Sequence, residues 1–101
     1  METQMVADGS RAVINVDGCF DIHRYREFNT VCEDALASDD VREIEVNLAQ
    51  VDYIDSSALG MLVKLREVAG TTNKTVSLSS CNLDVQKILA IANFGKLFHI
   101  I

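Results

Sequence analysis

No proline interrupts the chain, and no stretch of low complexity or internal repeat breaks it into parts. A linker or a second domain therefore has no obvious place to sit, and 101 residues are enough for one hydrophobic core. No run of lysine and arginine is present either. Nine basic residues face fifteen acidic ones, for a formal net charge of −6. That balance lacks the basic footprint that a phosphate backbone demands and would repel an anionic lipid surface. No apolar run approaches the ~20 residues needed to span a bilayer. The opening "METQMVADGS" has neither the charged start nor the apolar stretch of a secretory signal. The expectation is a cytoplasmic protein that meets neither nucleic acid nor membrane.

Cysteine is scarce and odd in number. Cys19, Cys32 and Cys81 lack paired metal-ligand spacing, and the simplest expectation is three buried, reduced thiols. Histidine is limited to His23 and His99. Neither G-x-x-x-x-G-K-[ST] nor G-x-G-x-x-G occurs, which leaves a phosphate-cradling enzyme little support. No cofactor is implied.

What is present is patterned. "TQMVAD" and "RAVINV" read as strands over residues 3–8 and 11–16, turned by Gly9-Ser10. "VDGCF" leads through Asp17-Gly18 into a helix capped by Asp21, with Ile22, Tyr25, Phe28, Cys32 and Leu36 on its apolar face. In "VREIEVNLAQ" Ile44, Val46 and Leu48 alternate with Glu43, Glu45 and Asn47, the period of a strand with unlike faces. "DSSALGMLVKLREVAG" is helical, with Leu59, Leu62, Val63 and Arg66 in step and Gly70 as its stop. "KTVSLSS" is a short strand, "NLDVQKILAIANF" a third helix ended by Gly95, and "KLFHII" a final strand or packed tail. The order β-β-α-β-α-β-α-β gives an α/β fold. Its sheet is mixed and mostly parallel, opened by a hairpin, with helices packed on it.

One junction carries chemistry: "YIDSSALGML", residues 53–62, where two serines follow an aspartate between strand and helix. On residue types alone three readings stay open. Asp55 or a serine caps the helix, a contribution of ~1 kcal/mol; a serine is a nucleophile; or a serine accepts a modification. A nucleophile elbow reads G-x-S-x-G, whereas Ile54 and Asp55 stand two residues before Ser56 and Ser57, so a serine hydrolase has weak support.

The stretch "REIEVNLAQVDYIDSSALGMLVKL" resembles the central signature of STAS domains, and of their anti-sigma factor antagonist branch in particular. The opening hairpin, the helix after "DGCF" and the closing "VQKILAIANFGKLFHI" fit the same layout, so the resemblance covers the whole chain as one domain. It implies that Ser56 is a phosphoacceptor. Asp55, Ser57, Ala58, Leu59 and Gly60 support it as the rest of the motif. Ala58 stands where glycine is common and would restrict a partner's approach, and Asn47 stands where the strand often carries aspartate. The resemblance further implies a non-enzymatic switch. Its unmodified form binds a serine kinase of the GHKL type that acts as an anti-sigma factor; phosphorylation releases it, and a PP2C-like phosphatase restores it. A regulatory or scaffolding role in a pathway without a sigma factor is the alternative. Met61, Leu65 and Val68, beside Lys64, form a second apolar stripe on the second helix, read as a partner surface or as packing against a neighbouring helix. A monomer is expected.

Overall fold

The computed structural model describes residues 3–101, and side chains from Gly9 onward. Strands β1 (Thr3–Asp8) and β2 (Arg11–Phe20) pair antiparallel through the Gly9-Ser10 turn, where Gly9 takes φ +62°, a region glycine enters freely. The Ser10 carbonyl then accepts the N–H groups of Arg42 and Glu43, tying the hairpin to the next strand. Three parallel pairings follow, through β3 (Glu43–Ile54), β4 (Thr75–Ser79) and β5 (His99–Ile100), in the sheet order β1-β2-β3-β4-β5. Each crossover carries one helix: α1 (Tyr25–Ala37), α2 (Ser56–Thr71) and α3 (Leu83–Ile91). This is the α/β arrangement the pattern predicts.

Alternation decides which face is covered. Ala12, Ile14 and Val16, Ile44, Val46 and Leu48, and Val76 and Leu78 are buried in one cluster with Phe28, Leu62, Val85 and Leu89 of the helices. The alternate positions of β2 and β3 carry Arg11, Asn15, Glu43, Glu45 and Asn47, and Arg11 reaches both Glu43 and Glu45 at 3.2 Å.

Several boundaries depart from expectation for identifiable reasons. β2 does not stop at Val16: its register against β3 shifts between Asn15 and Asp17 and again between Gly18 and Cys19, and Gly18 at φ +67° lets the strand continue to Phe20. β3 likewise runs on to Ile54, its buried positions changing from alternate residues to Leu48, Val51 and Ile54. Asn47 sits at that change, its Oδ1 accepting the Ala49 N–H at 2.9 Å. Asp21 does cap, accepting the His23 N–H, but what it opens is a 3-10 turn (Ile22–Arg24) before α1. The tighter turn shifts the phase, so Ile22 and Tyr25 are exposed while Arg24 is buried. α2 runs one residue past Gly70, and α3 ends at Ile91, where Asn93 in the left-handed region makes the turn; Gly95 lies in a later 3-10 turn. Cys32 and Cys81 are buried, and burial pushes the Cys32 thiol up to about 12, with Glu33 beside it acting the same way. Cys19 corrects the expectation of three buried thiols, since it lies exposed on the extended end of β2.

Candidate functional site

Strand β3 passes into α2 through a single residue, Asp55, at φ −116° and ψ −178°. Its backbone N–H donates to the Phe20 carbonyl at 3.3 Å, its carbonyl accepts the Leu59 N–H, and its Oδ1 accepts the Ala58 N–H at 3.1 Å. Asp55 is therefore the N-cap, and a helix needs only one. This separates the readings left open by residue type. Ser56, the first helical residue, is exposed and has no capping duty, while Ser57 is half-buried and Ala58 fully buried. Nor do the described hydrogen bonds bring a histidine to either serine; the His23 Nδ1 instead lies 3.2 Å from Asp21 Oδ1. Without a base the nucleophile reading loses its second component.

The site occupies the carboxyl end of the parallel strands, where open α/β sheets commonly present their binding surfaces. The start of α3 is drawn to the same end, because Asn82 caps α3 through the Val85 N–H and donates through Nδ2 to the Val51 carbonyl at 2.9 Å. At or just after the carboxyl ends of β2, β3 and β4 the chain also carries Ile22, Tyr25, Tyr53 and Leu83, all large hydrophobic residues and all exposed. No group of His, Cys, Asp and Glu among the described residues could hold a metal ion, and no described helix is long and apolar enough to cross a membrane.

This fold with this junction agrees with a family model described as "Mlab, STAS domain", which matches residues 3–100. The chain is a STAS domain. A STAS-domain containing protein of Pseudomonas aeruginosa (strain UCBPP-PA14) is 43% identical over 94 residues, covering 93% of this chain and 91% of that protein. Solved structures show the same fold at lower identity. An anti-sigma factor antagonist from Mycobacterium paratuberculosis superposes with a TM-score of 0.84 at 16% identity, over 97% of this chain and 82% of that one. The Bacillus cell fate determinant SpoIIAA in its phosphorylated form gives a TM-score of 0.74 at 17% identity, over 98% of this chain and 90% of that one.

Within this STAS domain the motif residues take unequal places. Leu59 is half-buried, and Gly60 is exposed one helical turn beyond Ser56. A Cβ on Gly60 would meet nothing within 4 Å, so packing does not require glycine there. Ala58, fully buried and bonded to the cap, cannot obstruct a partner as the sequence reading supposed; its methyl belongs to the core. The stripe on α2 is divided. Met61 and Leu65 are only 8% and 4% exposed and line a cleft with Phe28 and Cys32 of α1, so for these two the packing alternative holds and the partner-surface reading is corrected. Lys64 and Val68 stay exposed at the lip of that cleft, with the Lys64 ammonium 5.9 Å from the Tyr25 ring centroid, a cation–π contact. Tyr53 was missed. Its signal was an aromatic residue between Asp52 and Asp55, at a point where strand alternation no longer tells which side is buried.

Proposed function

We propose that this STAS domain is a phosphorylation-controlled protein-binding switch, with Ser56 as phosphoacceptor and with exposed residues that include Ile22, Tyr53, Lys64 and Val68 read by its partner. The observation that carries the reading is the division of labour at the junction: Asp55 caps the helix, and the Ser56 hydroxyl is left exposed at its first residue. Its support from relatives is SpoIIAA, solved both unphosphorylated and phosphorylated on the same fold. The partners on this reading are a serine kinase of the anti-sigma factor type and a PP2C-like phosphatase, met in the cytoplasm by a monomeric domain that itself performs no catalysis.

A phosphate on Ser56 adds about −1.5 to −2 charges at pH 7. At a helix N-terminus an anion gains ~0.3–1 kcal/mol from the dipole and the unpaired N–H groups. Asp52 and Asp55 oppose it on a similar scale, so the fold itself hardly responds. The partner responds, because an uncompensated charge taken out of water costs several kcal/mol.

The test begins with the kinase captured on a Ser56→Ala bait. Given that kinase and ATP, the wild-type domain is expected to gain one phosphate, on Ser56, and Ser56→Ala none. Recovery of no kinase, or phosphate on another residue, overturns the reading. Gly60 supplies a second prediction. Replacing a helix-interior glycine by alanine stabilises by about 1 kcal/mol where space is open. Gly60→Ala should therefore melt higher than wild type yet be phosphorylated more slowly, since its methyl stands one turn from Ser56 in the kinase's path.

A further inference from the structure

Two charged side chains are buried among the described residues, and they sit at opposite ends of the sheet. Lys74 closes the α1–β3 connection by donating to the carbonyls of Ser38 and Val41. Arg24 lies at the Ser56 end, 4% exposed, and every arm of its guanidinium is engaged. Nε donates to the Cys19 carbonyl at 3.3 Å; Nη2 donates to the Asp17 carbonyl at 3.0 Å and to Asp17 Oδ1 at 3.3 Å; Nη1 donates to Glu27 Oε2 at 3.2 Å.

The two carbonyls flank Gly18, at the place where β2 is least held by its ladder. Gly18 has φ +67°, and the register against β3 shifts just before and just after it. A bulged, glycine-containing strand end keeps conformational freedom that regular pairing would remove. Arg24 takes that freedom away by binding the carbonyls of the residues before and after the glycine, Asp17 and Cys19, and joining both to the first turn of α1 through Glu27. A short path leads on to Ser56. Cys19 and Phe20 pair with Tyr53 and Ile54, and the Phe20 carbonyl receives the N–H of Asp55, the residue that caps α2.

We propose that Arg24 is a positioning residue for Ser56: by clamping the Asp17–Cys19 segment it fixes the Phe20 carbonyl, and through it the Asp55 cap and the serine presented beside it. The inference rests on Ser56 being the phosphoacceptor. A planar fork suits two carbonyls and two carboxylates at once, which a point charge on a lysine stem cannot match.

The test uses the full chain with Arg24→Gln and Arg24→Lys, read in two ways. Amide hydrogen exchange by NMR compares the Asp55 and Ala58 N–H groups with those of Val76 and Leu78 in β4. In Arg24→Gln the first pair should exchange at least about tenfold faster while the β4 pair is unchanged, and Arg24→Lys should lie between. With the captured kinase, Arg24→Gln should lose about tenfold in kcat while KM moves less than about twofold, the mark of misaligned rather than undocked substrate. Equal acceleration in β4 in both variants, no change at Asp55 and Ala58, or a raised KM at unchanged kcat overturns the proposal. A wild-type Ser56 that takes no phosphate overturns the functional reading instead, and the exchange data still decide whether Arg24 holds the cap.

Discussion

Ser56→Glu is expected to bind the captured serine kinase at least about a hundredfold more weakly than Ser56→Ala, with both variants folded and melting close to wild type. A hundredfold corresponds to about 2.7 kcal/mol, within what desolvating one unpaired carboxylate against a partner costs. The same group on the free domain stays in water at the first residue of a helix, where the dipole favours it by ~0.3–1 kcal/mol and two nearby aspartates offset that gain. Charge on Ser56 is therefore expected to be nearly silent for folding and costly for docking, the asymmetry on which the proposed switch depends. Titration calorimetry gives the affinities, and circular dichroism against temperature gives the stabilities. Equal binding by the two variants would leave the exposed hydroxyl without a function of this kind. A large drop in melting temperature for Ser56→Glu would point instead to a serine that belongs to the cap, against the bond seen from Asp55 to the Ala58 N–H.

How much of this was legible beforehand follows from the strength of each local signal. The alternation in "REIEVNL" is regular, and β3 lies where that period puts it. Asp21 and Asp55 are legible as caps because short polar side chains before helical turns bond a nearby N–H, as both do here. Helix faces were less legible. The buried arc of α2 is Ala58, Met61, Leu62, Leu65 and Ala69, and its two alanines weigh little in any hydropathy pattern. The periodicity of Leu59, Leu62 and Val63 therefore points to one side of that arc and leaves Met61 and Leu65 open between partner surface and helix packing, which burial against α1 decides for packing. Arg24 was illegible for a different reason. Nothing local marks an arginine for burial; that depends on two carbonyls which a glycine bulge presents and on a 3-10 turn that rotates the side chain inward. Tyr53 escaped notice because the step of β3 changes after Leu48, where Asn47 bonds back onto its own strand.

Two aromatic residues at the same sheet end should separate stability from recognition. Phe20 is fully buried, its ring 5.0 Å from that of Phe28 and its carbonyl holding the Asp55 N–H. Phe20→Ala is expected to cost ~3–5 kcal/mol, through lost burial and the cavity left behind. That is a large part of the ~5–15 kcal/mol that holds an ordinary domain together. Tyr53 pairs with the neighbouring position of β2, yet it is 53% exposed. Tyr53→Ala should change stability by no more than about 0.5 kcal/mol, while weakening kinase binding about tenfold or more, as exposed aromatics at the centre of an interface do when truncated. Urea denaturation supplies the first number for each variant and titration against the captured kinase the second. A Tyr53→Ala domain that binds as wild type would remove Tyr53 from the recognition surface without touching the case for Ser56. A Phe20→Ala domain that stays stable would contradict the core itself, and with it the path by which the strand end holds the cap. The predicted contrast thus tests whether the residues that build this junction and the residue read beside it are different ones, which a switch acting on binding alone requires.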